Sequence, residues 1–151
     1  MFLTTHATVG LIIGKYIPQP LLAFGLGFLS HLILDAIPHG TIECGDPDPV
    51  KEKKLIIKFS SYDILVMLGL LTFLTVTGSV VWTPSMIAAV LGSILMDFLW
   101  GMYYLGFKSF KPFHKLNQWC HELTGDRNFR WYFWLPQAII FSMVALYIFK
   151  L

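Results

Sequence analysis

His31 and Asp35 stand four residues apart in the stretch Ser30-His31-Leu32-Ile33-Leu34-Asp35-Ala36-Ile37-Pro38-His39, which closes a long apolar run. On a helix that spacing puts both side chains on one face. Imidazole nitrogen and carboxylate oxygen are the ligand types that zinc and related divalent cations take. Ionisable groups at membrane depth are costly, so each needs a partner or a task. His6 and Asp97 lie in two further apolar runs. An unpaired aspartate near mid-bilayer costs about 2.5–3.5 kcal/mol on insertion scales, so Asp97 needs a partner too. Together His6, His31, Asp35, His39 and Asp97 offer enough ligands for one or two divalent cations, zinc first and manganese second. A site that kept a position open for water would make that water a nucleophile. Asp97 or Asp35, where not a ligand, is then the candidate general base.

Other residues form a second rank. Asp63 falls where a helix is expected to start, and there it would cap that helix. His114 and His121 are seven apart and share a face of an amphipathic segment with Lys111 and Gln118. Phe113, Leu116, Cys120 and Leu123 fall opposite. His121, with Glu122 beside it, is the better ligand candidate of that pair. Two other readings compete with the metal site. The histidines and aspartates could simply hydrogen-bond helices together, or they could form an ion or proton conduit, which would call for polar residues in the outer half as well. Few occur there beyond Thr72, Thr75 and Thr77.

The elements that must position these groups are apolar helices. Of the 151 residues 56% are hydrophobic and 13% charged, with a mean hydropathy of +0.65, whereas about 25% of a soluble domain is charged. Since a spanning helix takes roughly 20 apolar residues, the sequence predicts one all-α membrane domain over 1–151 with five spans. These are Phe2–Ile17, Leu21–Ile37, Tyr62–Trp82, Pro84–Gly106 and Trp131–Lys150. An amphipathic interfacial helix is expected over Lys108–Thr124, and a polar loop over Thr41–Phe59. Small residues at four-residue spacing let backbones approach closely in lipid. Gly10/Gly14, Ala23/Gly27, Ala88/Gly92 and Ala89/Ser93 therefore predict that the first, second and fourth spans meet. Leu29–Asp35 can also be laid over Leu91–Asp97 as a faint repeat, which would make the two aspartates converge.

Basic residues set orientation, because short loops rich in Lys and Arg stay in the cytoplasm. Nine of eleven fall in the loops after the second and fourth spans: Lys51, Lys53, Lys54, Lys58, Lys108, Lys111, Lys115, Arg127 and Arg130. The expected location is the inner (cytoplasmic) membrane, with the N-terminus inside and the C-terminus outside. Every intramembrane ionisable residue then falls in the cytoplasmic half. No secretory leader is expected, because the apolar run begins at Phe2 without a preceding basic region. Cys44 and Cys120 lack any paired spacing and read as free thiols. The lysine-rich loop is balanced by Glu43, Asp46, Asp48 and Glu52, which argues against nucleic acid as a partner; membrane lipids are the expected partner.

Thr5-His6 followed by Gly10 and Gly14, then Ser30-His31-x-x-x-Asp35-x-x-Pro38-His39, resembles the small inner-membrane proteins grouped as membrane-bound metal-dependent hydrolases. The resemblance covers mostly the first 40 residues, with Asp97 as a further element. The early Thr-His and the His-x-x-x-Asp helix are also similar to the helical zinc-dependent phospholipase C and nuclease superfamily. The resemblance implies that His6, His31 and Asp35 are ligands, followed by His39 and Asp97, and that the reaction is phosphoester hydrolysis on a lipid or lipid-linked substrate. The chain departs from both patterns. It has no His-Arg-x-x-Thr-His segment and no His-x-x-x-Glu helix.

Overall fold

The computed structural model describes residues 1–37, 49–123, 135, 138–139 and 141–142. Among these the chain is all-helical, with no strand. Helix α1 is Leu3–Tyr16, α2 Pro20–Asp35, α3 Pro49–Val76, α4 Pro84–Tyr104 and α5 Lys111–Glu122, the last preceded by a short 3₁₀ turn at Lys108–Phe110.

Local chemistry sets most of the boundaries. Pro18 and Pro20 end α1 and begin α2, Pro20 supplying the preset φ of a first helical turn. Pro84 does the same for α4, where the Thr83 hydroxyl accepts from the Met86 amide at 3.2 Å. Gly78, at φ +70°, closes α3 with bonds from its own amide to the Thr75 carbonyl and from the Val80 amide to the Leu74 carbonyl. Gly106, at φ +108°, closes α4 in the same way.

Two expectations change. Helix α3 starts at Pro49, so the last eleven residues of the expected polar loop over Thr41–Phe59 are helical. Lys-Glu-Lys-Lys after a proline are good helix formers at a good helix start. The third span likewise ends at Val76 rather than Trp82, since Gly78 turns the chain; the Trp82 indole folds back and donates to the Thr75 hydroxyl at 2.8 Å.

Among the described residues, only α3 (over Lys53–Val76) and α4 are long and apolar enough to cross a membrane. With 14 and 16 residues, α1 and α2 reach about 21 and 24 Å at 1.5 Å per residue, short of the roughly 30 Å hydrocarbon core. The expected fifth span lies almost wholly outside the described residues.

Helix α4 is the hub. It packs on α1 and α2 along most of their length, and α5 rests on the ends of α2 and α4, while α3 packs mainly on α1. Glycines make the hub possible. A Cβ at Gly27 would strike the Ala89 carbonyl, one at Gly92 the Phe24 carbonyl, and one at Gly14 the Met86 backbone. The three helices therefore meet backbone to backbone, as the small-residue spacing predicts. The Ser85 hydroxyl adds a tie, donating to the Pro18 carbonyl at 2.6 Å between α4 and the α1–α2 turn.

Candidate metal centre

The close approach of α1, α2 and α4 leaves polar side chains inside an apolar bundle. His6 and His31 are 0% exposed and Asp35 is 2% exposed. Their imidazoles stack with centroids 4.0 Å apart and planes 22° from parallel. His31 Nδ1 donates to the Ser93 backbone carbonyl at 2.7 Å, a contact that requires α2 and α4 to touch at Gly27 and Gly92. A carbonyl can only accept, so Nδ1 carries a proton, and Nε2 is a lone pair in the neutral ring or a second N–H in the imidazolium.

His31 Nε2 faces a carboxylate. His31 Nε2 lies 3.1 Å from Asp35 Oδ2, and His6 Nε2 lies 3.2 Å from Asp35 Oδ1. Neither approach has hydrogen-bond geometry, and both nitrogens of His6 and Nε2 of His31 are buried without a hydrogen-bond partner. In a dry site such close approaches need a positive charge, which a ring proton, the Met1 ammonium beside Asp35 or a bound cation supplies. Asp97 approaches from the other edge of the His31 ring, with Oδ2 3.9 Å from Nδ1; that oxygen too is buried without a hydrogen-bond partner. The Asp97 side chain as a whole is 25% exposed, making it the most open member of the cluster.

His6, His31 and Asp97 each offer one ligand atom, and these atoms lie within 4.8 Å of one another, so the group could hold a metal ion. Two imidazoles and one carboxylate leave coordination positions free on most divalent cations. Asp35 has a different set of neighbours. It touches both imidazoles and accepts from the Met1 ammonium at 2.6 Å. The expected convergence of Asp35 and Asp97 is met through His31, which both carboxylates flank.

Asp63 is not part of this group. It lies in the interior of α3 rather than at its start, and it caps α1 instead of its own helix. Its carboxylate accepts from the Leu3 amide at 2.5 Å, the Thr4 amide at 3.3 Å and the Thr4 hydroxyl at 2.6 Å. Since Phe2, the residue before α1, has no capping side chain, Asp63 serves as a cap borrowed from another helix. Replacing Asp63 with alanine is expected to cost about 1–2 kcal/mol. The check is a lower melting temperature, with the α1 amides at Leu3 and Thr4 exchanging faster; unchanged exchange there would rule the cap out.

His114 also lies elsewhere. It stacks on Tyr103 with centroids 4.4 Å apart and meets Tyr104 edge-on at 5.6 Å, pinning α5 to the end of α4. Burial against those rings pushes its pKa down. Phe113, Leu116 and Cys120 turn inward as the spacing predicts, whereas Leu123 is exposed and Asn117 is buried beside Cys120, a free thiol. His39 lies outside the described residues, as do the side chains of His121 and Glu122. The Ser93 carbonyl and the Met1 ammonium are the neighbours that residue types gave no sign of. Ser93 appeared only as a small residue, and nothing in a sequence tells which main-chain carbonyl an imidazole will reach.

Comparison with protein-family models, with curated proteins and with solved structures finds no match to this chain.

Proposed function

We propose that this chain is a multi-pass membrane protein that hydrolyses a phosphoester, with a divalent cation, zinc before manganese, held by His6, His31 and Asp97 near the inner leaflet. The observation that carries the reading is the mutual reach, within 4.8 Å, of one ligand atom each from His6, His31 and Asp97, with both His6 ring nitrogens and Asp97 Oδ2 buried without a hydrogen-bond partner. A cation would satisfy those buried atoms at once. Membrane embedding is supported by α3, whose Ile64, Leu65, Val66, Leu68, Phe73 and Val76 are all exposed; a continuous apolar surface of that length is unusual in water. Such embedding makes a lipid or lipid-linked phosphoester the natural substrate class.

When bound, the cation would supply Lewis acidity, polarising a phosphoryl oxygen and making water a stronger acid. The chain's own residues divide the remaining work. The Ser93 carbonyl orients the His31 ring by accepting its Nδ1 proton. His6, stacked on His31, is held at a fixed separation from it. Asp35, beside both imidazoles, is placed to take a proton from water as general base. Asp97, the partly exposed member, marks the side from which substrate reaches the cluster.

The test is a screen of generic phosphomonoesters and phosphodiesters with the purified protein, in chelator and after zinc or manganese is restored. Hydrolysis that appears only with restored metal and disappears in Asp97→Asn is the expected result. A protein that binds no metal and is equally stable in chelator would leave the cluster as a helix-packing device, a reading that the Met1–Asp35 ion pair favours.

A further inference from the structure

The segment after α4 has two faces of opposite character. Phe113 and Leu116 are half-buried and Asn117 and Cys120 buried, all turned towards α2 and α4. Lys108, Lys111, Lys115, Gln118 and Trp119 are exposed on the other side. Helical spacing aligns Lys111, Lys115 and Gln118–Trp119 in one ridge, with Lys108 a turn earlier. The sequence holds no acidic residue between Lys108 and Trp119, and by spacing Glu122 alone follows on the ridge within α5, so the three lysines leave it net positive.

Its position follows from the covalent chain. Membrane-length α4 ends at Tyr104. Lys108 is four residues on, and four residues reach at most about 14 Å. Leu105 and Phe107, at the corner, are exposed apolar groups. The stack of His114 on Tyr103 stops α5 from swinging away. The ridge is therefore held at the level where hydrocarbon gives way to headgroups, the depth that tryptophan and lysine prefer.

We propose that the outward face of α5, through Lys108, Lys111, Lys115 and Trp119, is a binding surface for anionic phospholipid headgroups. The lysine ammoniums pair with headgroup phosphates, and the Trp119 ring lies at the glycerol level with its indole N–H towards water. The surface rests on the reading that α4 crosses a membrane. It is independent of whether the His/Asp cluster is catalytic. It also bears on that site, because it gathers anionic phospholipids beside the helix ends that carry Asp35 and Asp97.

Full-length protein in neutral detergent would be titrated with phosphatidylglycerol or phosphatidylcholine in mixed micelles, following tryptophan fluorescence. A Trp119→Phe variant identifies the responding ring. At about fivefold per lysine, the wild type should prefer phosphatidylglycerol by up to about a hundredfold. The preference should collapse in the Lys108→Gln/Lys111→Gln/Lys115→Gln triple variant and in salt near 1 M, where screening acts within about 3 Å. All three lysines are exposed, so the variant keeps the fold, which its melting temperature would show. An unchanged preference in the triple variant, an unchanged signal in Trp119→Phe, or displacement of the lipid by inorganic phosphate at equal concentration would each overturn the proposal. Recovery of the protein in the aqueous phase without detergent would instead overturn the membrane reading on which the surface rests.

Discussion

Replacing His31 with alanine is expected to strip the protein of bound cation. Purified wild type loaded with zinc should carry about one ion per chain, as two imidazoles and a carboxylate with open positions would hold. His31 supplies one of the three ligand atoms within mutual reach. It also donates a hydrogen bond to the Ser93 carbonyl of α4. Losing even a supporting partner of a metal ligand costs 10–100-fold in affinity, so losing the ligand itself should cost at least about 100-fold. Elemental analysis after gel filtration gives the stoichiometry, and competition with a chromophoric chelator gives the affinity.

The alanine variant also forfeits packing and the bond to Ser93, a bond worth about 0.5–1.5 kcal/mol, so instability could mimic a loss of metal. Asp97→Asn separates the two effects. It keeps the shape of the side chain while removing its charge and turning one acceptor oxygen into an N–H donor, and it should lower cation affinity while leaving helix content and melting temperature near wild type. His114→Ala, outside the cluster, should retain the ion. Wild-type protein that takes up no cation from metal-supplemented buffer, and melts identically with and without chelator, would end the metal reading.

Valine at Gly27 should have the larger effect on folding. Its Cβ would collide with the Ala89 carbonyl of α4, and the reciprocal change at Gly92 would collide with the Phe24 carbonyl of α2. Neither obstacle is a side chain that can swing aside; each is main chain inside a helix. Overpacking of this kind costs typically about 1–3 kcal/mol per site and sometimes more, a large share of a net stability of about 5–15 kcal/mol. Forcing α2 from α4 also breaks the His31–Ser93 contact, so cation binding should fall together with stability. Gly25, where no described residue lies within 4 Å of an added Cβ, is the control: Gly25→Ala should be neutral or slightly stabilising. A Gly27→Val protein with the wild-type melting temperature and cation content would show that the backbone contact is dispensable.

The two substitutions separate what local sequence could reveal from what it could not. Residue type and spacing were enough to bring out His6, His31, Asp35 and Asp97 as costly groups in apolar helices. Four-residue spacing put His31 and Asp35 on one face, and they lie 3.1 Å apart. Small residues at the same spacing showed which helices would touch, because a missing side chain is itself a local fact with a steric consequence. Prolines and glycines marked most of the helix ends, although α3 runs back to Pro49 through a lysine-rich stretch that reads as loop by charge and as helix by propensity. Asp63 shows where such reading stops. Its type suggested a cap, and it is one, but for α1, a helix sixty residues earlier in the chain. Likewise only the packed structure shows that His31 spends its Nδ1 proton on the Ser93 carbonyl, and that Asp97 of α4 comes within reach of the two imidazoles that Asp35 also touches. Periodicity is a property of one helix, whereas the partner of a side chain depends on the rotation and offset of two helices. Those are set by summed backbone contacts that no single stretch of sequence contains.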